Sequence, residues 1–303
     1  MPYKILEKKY LDSKSKLFEM VVETPLIAKK AHAGNFILIR VNETGERIPI
    51  TVADYDREEG TITMVVQVVG KTTTLLSQKE VGEEILDVVG PLGNRIHIEK
   101  YDHPVVIIGG GVGIAPCYPQ AKELKEAGNE IITIMGAQTK DLLFWVDKMA
   151  KISDELIITT DDGSQGIKGF VTQPLKNILK KSEISLVIAI GPLIMMKNVV
   201  NLTKGTDEFP KVDTKVSLNT IMIDGTGMCG GCRFLTHEGE IYFACVDGPD
   251  VDGHMVDFDN LLKRANRYKD QEQKLMEAYK HKCRSLEKFY SENQKVEEEG
   301  ARK

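Results

Sequence analysis

The sequence predicts an α/β protein with an all-β N-terminal domain: an antiparallel barrel, a doubly wound parallel sheet, a small cysteine-bearing module and a C-terminal helical tail. Three observations predict it. Short runs rich in Val, Ile and Thr, separated by turn residues, fill residues 1–100. From Asp102-His103-Pro104 onward, apolar strand-like runs alternate with helical stretches. Three of the five cysteines then fall together, at Cys229, Cys232 and Cys245.

The barrel strands are expected at Leu17–Val22, Phe36–Val41, Thr61–Val69 and Glu84–Val89. Turn signals stand between them at Asn42-Glu43-Thr44-Gly45 and Glu58-Glu59-Gly60. The second unit, residues 101–223, opens with the continuous apolar run Val105–Ile108, closed by Gly109-Gly110-Gly111. Ile114–Ala127 reads as a helix stopped by Gly128, and Glu130–Met135 as the next strand. Helices at Asp141–Lys151, Val171–Lys181 and Leu193–Lys204 then alternate with strands at Leu156–Thr160, Leu186–Ile190 and Lys215–Ile223. Such alternation implies parallel strands joined by right-handed crossovers. Residues 224–260 carry the cysteine cluster and few helix signals. Residues 261–303 are highly charged. There Leu261, Ala265, Tyr268, Leu275, Tyr279, Cys283, Leu286 and Tyr290 recur at helical steps. The tail is read either as a helix on its own subunit or as one that docks a partner.

Composition narrows the function. The chain has 303 residues, 42% of them hydrophobic and 28% charged, which excludes a disordered, collagen-like or rod-like protein. A formal net charge of −5 gives no basic field for nucleic acid or anionic membrane. No apolar run is long enough to span a bilayer, and Met1-Pro2-Tyr3-Lys4-Ile5 begins no signal peptide. An odd cysteine count without a secretion signal argues against a disulfide framework, so a cytoplasmic protein is expected.

Asp224-Gly225-Thr226-Gly227-Met228-Cys229-Gly230-Gly231-Cys232, followed by Cys245, is the sharpest motif. Thiolates two residues apart in a Gly-rich loop can converge on one metal, with backbone N–H groups turned to the sulfurs. The plant-type [2Fe–2S] spacing is matched if Asp224 stands where the first Cys would. Zinc, with His237 or His254 as a further ligand, and reduced structural thiols are the competing readings. Asp224 has its own alternative, a loop carboxylate capping local N–H groups.

Gly109-Gly110-Gly111-Val112-Gly113-Ile114-Ala115-Pro116 follows a buried strand and precedes a helix. That is where a nucleotide phosphate meets free N–H groups and the positive end of a helix dipole. The alternative is a tight turn that binds nothing. Arg47-Ile48-Pro49-Ile50-Thr51, Val65-Val66-Gln67 and Gly70-Lys71-Thr72-Thr73 read as a strand edge and a turn, or as cation and hydroxyls for a flavin pyrophosphate. The strand ending at Gly136-Ala137-Gln138-Thr139 has no Arg for a 2′-phosphate, which favours NAD over NADP. Cys117 reads as a small residue at a helix start, where the dipole would lower a thiol pKa. Trp145 reads as core and His254 as a loop residue.

Taken together, these motifs resemble the ferredoxin–NADP reductase superfamily over residues 1–268. Within it the chain is most similar to the electron-transfer subunit of dihydroorotate dehydrogenase B and to the small subunit of NADH-dependent reduced ferredoxin:NADP oxidoreductases. Further marks are Gly90-Pro91-Leu92-Gly93-Asn94, Asp161-Asp162-Gly163-Ser164, Gly191-Pro192 with Met195-Met196, and Cys245-Val246-Asp247-Gly248-Pro249. The resemblance implies a flavin-binding barrel that holds FAD through Arg47–Thr51, Val65–Gln67 and Gly70–Thr73. It implies NAD(H) at Gly109–Pro116, Asp161, Asp162, Gly163, Gly191, Pro192 and Met195. It also implies a [2Fe–2S] cluster on Asp224, Cys229, Cys232 and Cys245; the dihydroorotate branch usually has Cys at position 224. The implied partner is a larger flavoprotein with FAD and [4Fe–4S] clusters that binds NADP(H) and ferredoxin in an electron-bifurcating complex. No catalytic side chain is implied, because hydride passes directly between nicotinamide and flavin. The alternatives are a dihydroorotate dehydrogenase subunit and a zinc-bearing interaction module without flavin.

Overall fold

The computed structural model describes residues 3–14 and 16–279. Cys283, Leu286, Tyr290 and the rest of the expected tail beyond residue 279 lie outside the described residues.

The N-terminal unit contains β1 (Tyr3–Tyr10), β2 (Leu17–Glu23), α1 (Pro25–Ala28), β3 (Phe36–Arg40), β4 (Ile48–Thr51), β5 (Asp54–Asp56), β6 (Thr61–Gln67), α2 (Lys71–Ser77), β7 (Glu84–Ile85) and β8 (Asp87–Leu92). One antiparallel sheet has the order β5-β6-β2-β1-β7 and a second the order β4-β3-β8. They close as a barrel around Phe18, Met20, Val22, Ile37, Ile39, Ile62 and Met64. Alternation makes this possible: Phe18, Met20 and Val22 face inward, while Glu19 and Val21 face away. The sequence reading missed β1, whose Lys and Glu residues mask its pattern, and β5, which is only three residues long. It also read Gly70–Thr73 as a turn. This segment is the start of α2, because the Thr73 hydroxyl accepts the Gly70 N–H at 3.0 Å and holds the first helical turn.

The second unit contains β9 (Val105–Gly110), α3 (Ile114–Glu126), β10 (Ile131–Ala137), α4 (Val146–Ala150), β11 (Glu155–Thr160), β12 (Ile167–Lys168), α5 (Thr172–Lys181), β13 (Leu186–Ile190), α6 (Leu193–Thr203) and β14 (Asp213–Ser217). The strand order is β12-β11-β10-β9-β13-β14, all parallel. Val105, Val106, Ile107 and Ile108 are fully buried, as a central strand covered on both faces requires. Burying each such side chain is worth about 1.5–3 kcal/mol. Strand order reverses between β9 and β13, and this switch point leaves a crevice at their C-terminal ends.

Two expected elements are shorter than the sequence predicts. The helix expected from Asp141 begins only at Val146, since Leu143 is extended and Trp145 is left-handed at φ 56°. That kink packs the Trp145 ring edge-on to Tyr118 and Phe144, with centroids 5.5 and 5.6 Å apart. The strand expected over Lys215–Ile223 ends at Ser217, where the chain leaves the sheet.

It leaves to build the cysteine module: β15 (Arg233–Leu235) and β16 (Ile241–Phe243) form a small hairpin. The chain returns as β17 (Asp250–Asp252), antiparallel on β14, and ends the sheet with α7 (Phe258–Ala265). Residues 269–279 are again helical. Polar ties fix the barrel to the nucleotide unit. Trp145 Nε1 donates to Glu19 at 2.6 Å, Lys148 pairs with Asp54 at 2.7 Å, and Tyr55 donates to Glu123 at 2.5 Å. Among the described residues no helix is long and apolar enough to cross a membrane.

Candidate functional site

A cleft of about 1440 Å³ opens where barrel, nucleotide sheet and cysteine module meet. Its barrel wall holds Arg47, Ile48, Pro49, Ile50 and Thr51 of the β4 region, Val65, Val66 and Gln67 of β6, and Thr73. Gly70, Lys71 and Thr72 stay behind that wall, with Thr72 buried. The Arg47 side chain is half exposed and only 4.0 Å from Asp87, whose carboxylate Arg40 already holds at 2.6 Å. The Arg47 cation is therefore loosely tied and available to the cleft.

The opposite wall is the switch point. Gly110, Gly111, Val112, Gly113, Ala115 and Pro116 line it with Gly191, Pro192 and Met195. Gly109 lies within β9, and Ile114 is buried core. A Cβ on Gly113 would sit on the Ile190 carbonyl, and one on Gly110 on the Met195 sulfur. The two turns therefore pack closer than any side chain allows. Gly111 is different: its φ is +56° and an added Cβ meets nothing within 4 Å. Space is open above that turn, beside the start of the 13-residue helix α3, so the turn fits a nucleotide phosphate. Asp161 reaches the cleft, whereas Asp162 and Gly163 turn outward. The Ser164 hydroxyl and N–H hold the Asp162 carboxyl below the usual range.

The cysteine loop abuts the same space, for Gly231 and Thr220–Met222 line the cleft. Cys232 and Cys245 are buried free thiols with their sulfurs 3.1 Å apart. Burial first, then Cys232, push the Cys245 thiol up to about 12. Two thiols this close ionise together only beside a cation, and a bound iron supplies one. Cys229 is exposed, and its sulfur accepts the Gly231 N–H at 3.4 Å. Asp224 Oδ1 accepts the Thr226 N–H at 3.0 Å and Oδ2 the Cys229 N–H at 2.7 Å. Thr226 first, then Cys229, hold its carboxyl below the usual range. In this arrangement Asp224 caps the loop. Among the described residues no three His, Cys, Asp or Glu groups converge with metal-ligand spacing. The close thiol pair and the sulfur-directed N–H groups nevertheless fit an iron–sulfur cluster. His254 is engaged elsewhere, with its Nε2 3.0 Å from the Val212 carbonyl oxygen.

Other residues at the cleft escaped the sequence reading. Gln120, Ser217 and Asn219 line it. Behind them Asp250 Oδ2 accepts the Gln120 amide at 3.1 Å, while Asp250 Oδ1 and Gln120 Oε1 are buried without a donor. No motif marks these residues; only the chain's return as β17 brings Asp250 here. Cys117 is fully buried. Burial, with Asp250 adding to it, pushes its thiol pKa up and overrides the helix dipole that the sequence invokes. Arg264, Tyr268, Gln271, Glu272 and Leu275 also face the cleft.

A barrel joined to a doubly wound sheet in this way is the ferredoxin reductase-like architecture, here with a cysteine loop at its cleft. Residues 219–257 match the family described as the iron–sulfur cluster binding domain of dihydroorotate dehydrogenase B. A dihydroorotate dehydrogenase B (NAD(+)) electron transfer subunit homolog from Thermotoga maritima is 53% identical over 256 residues, covering 84% of this chain and 88% of that protein. The electron transfer subunit from Bacillus pumilus is 33% identical, over 77% of this chain and 89% of its own length. A solved structure of an NADH-dependent reduced ferredoxin-NADP oxidoreductase aligns with a TM-score of 0.85 at 48% identity, covering 92% of this chain and 98% of that one. The chain belongs to the family of dihydroorotate dehydrogenase B electron-transfer subunits and their homologs. The matched domain is an iron–sulfur cluster binding domain, and the fold around it is that of ferredoxin reductases. The cysteine module is thus an iron–sulfur module, not a zinc one.

Proposed function

We propose that this subunit exchanges hydride between NAD(H) and FAD. It then passes single electrons through its [2Fe–2S] cluster to a larger flavoprotein, in an electron-bifurcating NADH/ferredoxin:NADP oxidoreductase. The observation that carries this is the single cleft shared by barrel wall, nucleotide turn and cysteine loop. When bound, FAD converts a two-electron hydride donor into a source of single electrons, and the cluster carries them one at a time.

The chain's own residues bind, orient and shield. Arg47, Thr51 and Gln67 offer a cation and polar groups for FAD along the barrel wall, beside Thr73, whose hydroxyl is engaged at the start of α2. Gly110 and Gly113 let the β9 and β13 turns close on each other, and the Gly111 turn faces the NAD(H) phosphates. The end of β10, Gly136-Ala137-Gln138-Thr139, brings no Arg to grip a 2′-phosphate, which favours NAD(H) over NADP(H). Cys229, Cys232 and Cys245 would hold the cluster, and Asp224 would complete the set by giving up its N–H partners. No side chain acts as acid or nucleophile. The division follows from these tasks: residues 1–100 for FAD, 101–223 for NAD(H), 224–260 for the cluster and 261–303 as tail.

The likeness to a ferredoxin-NADP oxidoreductase solved in the context of flavin-based electron bifurcation supports the bifurcating reading; in that reading the partner carries FAD and [4Fe–4S] clusters and binds NADP(H) and ferredoxin. The names of several relatives favour a second reading, in which the partner oxidises dihydroorotate. Co-purification of the native complex decides between them. Reduction of NADP⁺ with NADH and reduced ferredoxin supports the first reading; reduction of NAD⁺ by dihydroorotate replaces it. Equal oxidation of NADPH and NADH by the isolated chain would overturn the nucleotide preference.

A further inference from the structure

We propose that the tail, residues 266–279 with its helix over 269–279, is the outer wall of the FAD site, closing over the adenosine end of the cofactor and retaining it. This rests on the assignment of the cleft to FAD made above. Tyr268, Gln271, Glu272 and Leu275 line the same cleft as Arg47, Thr51 and Thr73 of the barrel. Their spacing of three, four and seven residues is that of one helical face, so the tail presents a side to the cleft, not merely its end.

The segment is rooted at one end and touches the barrel at the other. At its root, Phe258 and Leu261 of α7 are buried in the core shared by nucleotide sheet and cysteine module. At its far end, Tyr279 Oη lies 3.5 Å from Gln78 Oε1, at the close of α2 in the barrel. The tail therefore crosses from one unit to the other over the cleft mouth. The face it offers is mixed: an aromatic ring, an amide, a carboxylate and an apolar side chain. Tyr268 is 47% exposed, Leu275 56% and, on the barrel side, Val69 72%. Apolar groups left open on both sides of a cleft suit a ligand with an aromatic base and a polar sugar. Glu272 disfavours phosphate oxygens. The face thus belongs over the adenosine, with the pyrophosphate further in, beside Arg47. FAD is the occupant, not NAD(H), because the far end of the tail lands on the barrel and not on the nucleotide turn.

The test compares the purified full chain with a chain ending at Asn266 and with the full-length double variant Tyr268→Ala, Leu275→Glu. The readouts are FAD per protein, the rate of FAD release on dilution followed by flavin fluorescence, NAD⁺ affinity and visible cluster absorbance. Losing contacts to one aromatic and one aliphatic side chain corresponds to FAD release about tenfold faster or more. Cluster content and NAD⁺ affinity are expected to stay unchanged. If both altered proteins retain FAD like the full chain, the proposal is overturned. Equal loss of NAD⁺ binding also overturns it, because the damage is then general. Should the shortened chain not fold, the double variant alone decides. A full-length protein without flavin bands overturns the cleft assignment itself, and the proposal with it.

Discussion

Replacing Asp250 by Asn should stabilise the protein at neutral pH, and the size of the gain follows from where the carboxylate sits. Asp250 lies on β17 between barrel and nucleotide unit; a Cβ on Gly34 would approach its Oδ2 to 2.8 Å. Burial pushes its pKa from 3.8 up to about 6, against hydrogen bonds from Ser217 and Gln120 and the Lys215 charge, which favour the ionised form. Cys117, whose thiol Asp250 also influences, stays neutral. The folded state therefore binds a proton more tightly than the unfolded chain does. Between about pH 3.8 and 6 the folded carboxyl is protonated while the unfolded one is ionised, so this group adds stability as pH falls through that window. Above it, the buried charge costs the full difference, about 3 kcal/mol for a shift of roughly two units.

Asn carries no charge at any pH. It also brings an N–H donor to a pair in which Asp250 Oδ1 and Gln120 Oε1 both lack one. The expected result is a gain of up to about 3 kcal/mol at pH 7.5, or roughly 5–10 °C in unfolding temperature, shrinking toward zero near pH 4. Thermal unfolding of Asp250→Asn and of the parent chain across pH 4–8 measures it. The difference between the two cancels every other titrating group. A variant no more stable than its parent at pH 7.5, or a gain independent of pH, refutes the reasoning.

Three further outcomes test the site. Gly113→Ala drives a Cβ into the Ile190 carbonyl, and overpacking against backbone costs about 1–3 kcal/mol; calorimetry and NAD⁺ titration should both show a loss, and unchanged affinity would count against the nucleotide turn. Cys232→Ser and Cys245→Ser should each abolish the visible [2Fe–2S] absorbance, whereas Cys117→Ser, remote and buried, should leave it intact. Asp224→Ala should alter the cluster's EPR signal, and a spectrum identical to that of the parent would leave Asp224 only its cap on Thr226 and Cys229.

Much of the fold is legible in the sequence because it is repetitive. The runs at 105–108, 130–135, 156–160 and 186–190 advertise buried parallel strands, and those strands are there as β9, β10, β11 and β13. Legibility fails where tertiary demands outweigh local pattern. Trp145 breaks a helix that its neighbours favour because its indole must reach Glu19 across the domain boundary. Ile221 and Ile223 look like strand residues, yet they lie about half exposed in the segment that carries the chain to the cysteines. In the site, residues within one contiguous motif were found, whereas Gln120 and Asp250, 130 positions apart, were not. No spacing rule joins two side chains that only the β14–β17 pairing brings together.

That pairing also explains how one chain keeps a redox module in register with its cleft. The segment from Leu218 to Pro249 is a long excursion whose two ends are stitched together: the Leu218 N–H donates to the Pro249 carbonyl at 2.9 Å, directly above the β14–β17 ladder. A second seam binds the excursion to the barrel, where Asn94 donates its N–H to the Gly248 carbonyl at 2.7 Å and its side-chain amide to the Val246 carbonyl at 2.8 Å. Cys245 thus sits one residue before a segment pinned to the barrel. Gly231, between Cys229 and Cys232, meanwhile lines the cleft. The thiols need not be placed by a large hydrophobic core of their own, which a module of this size does not have. Two seams, one to each neighbouring unit, fix them beside the cleft. A change that loosens a seam without touching a cysteine, such as Asn94→Ala, is expected to disturb the module's seat on the barrel and not the cysteines themselves.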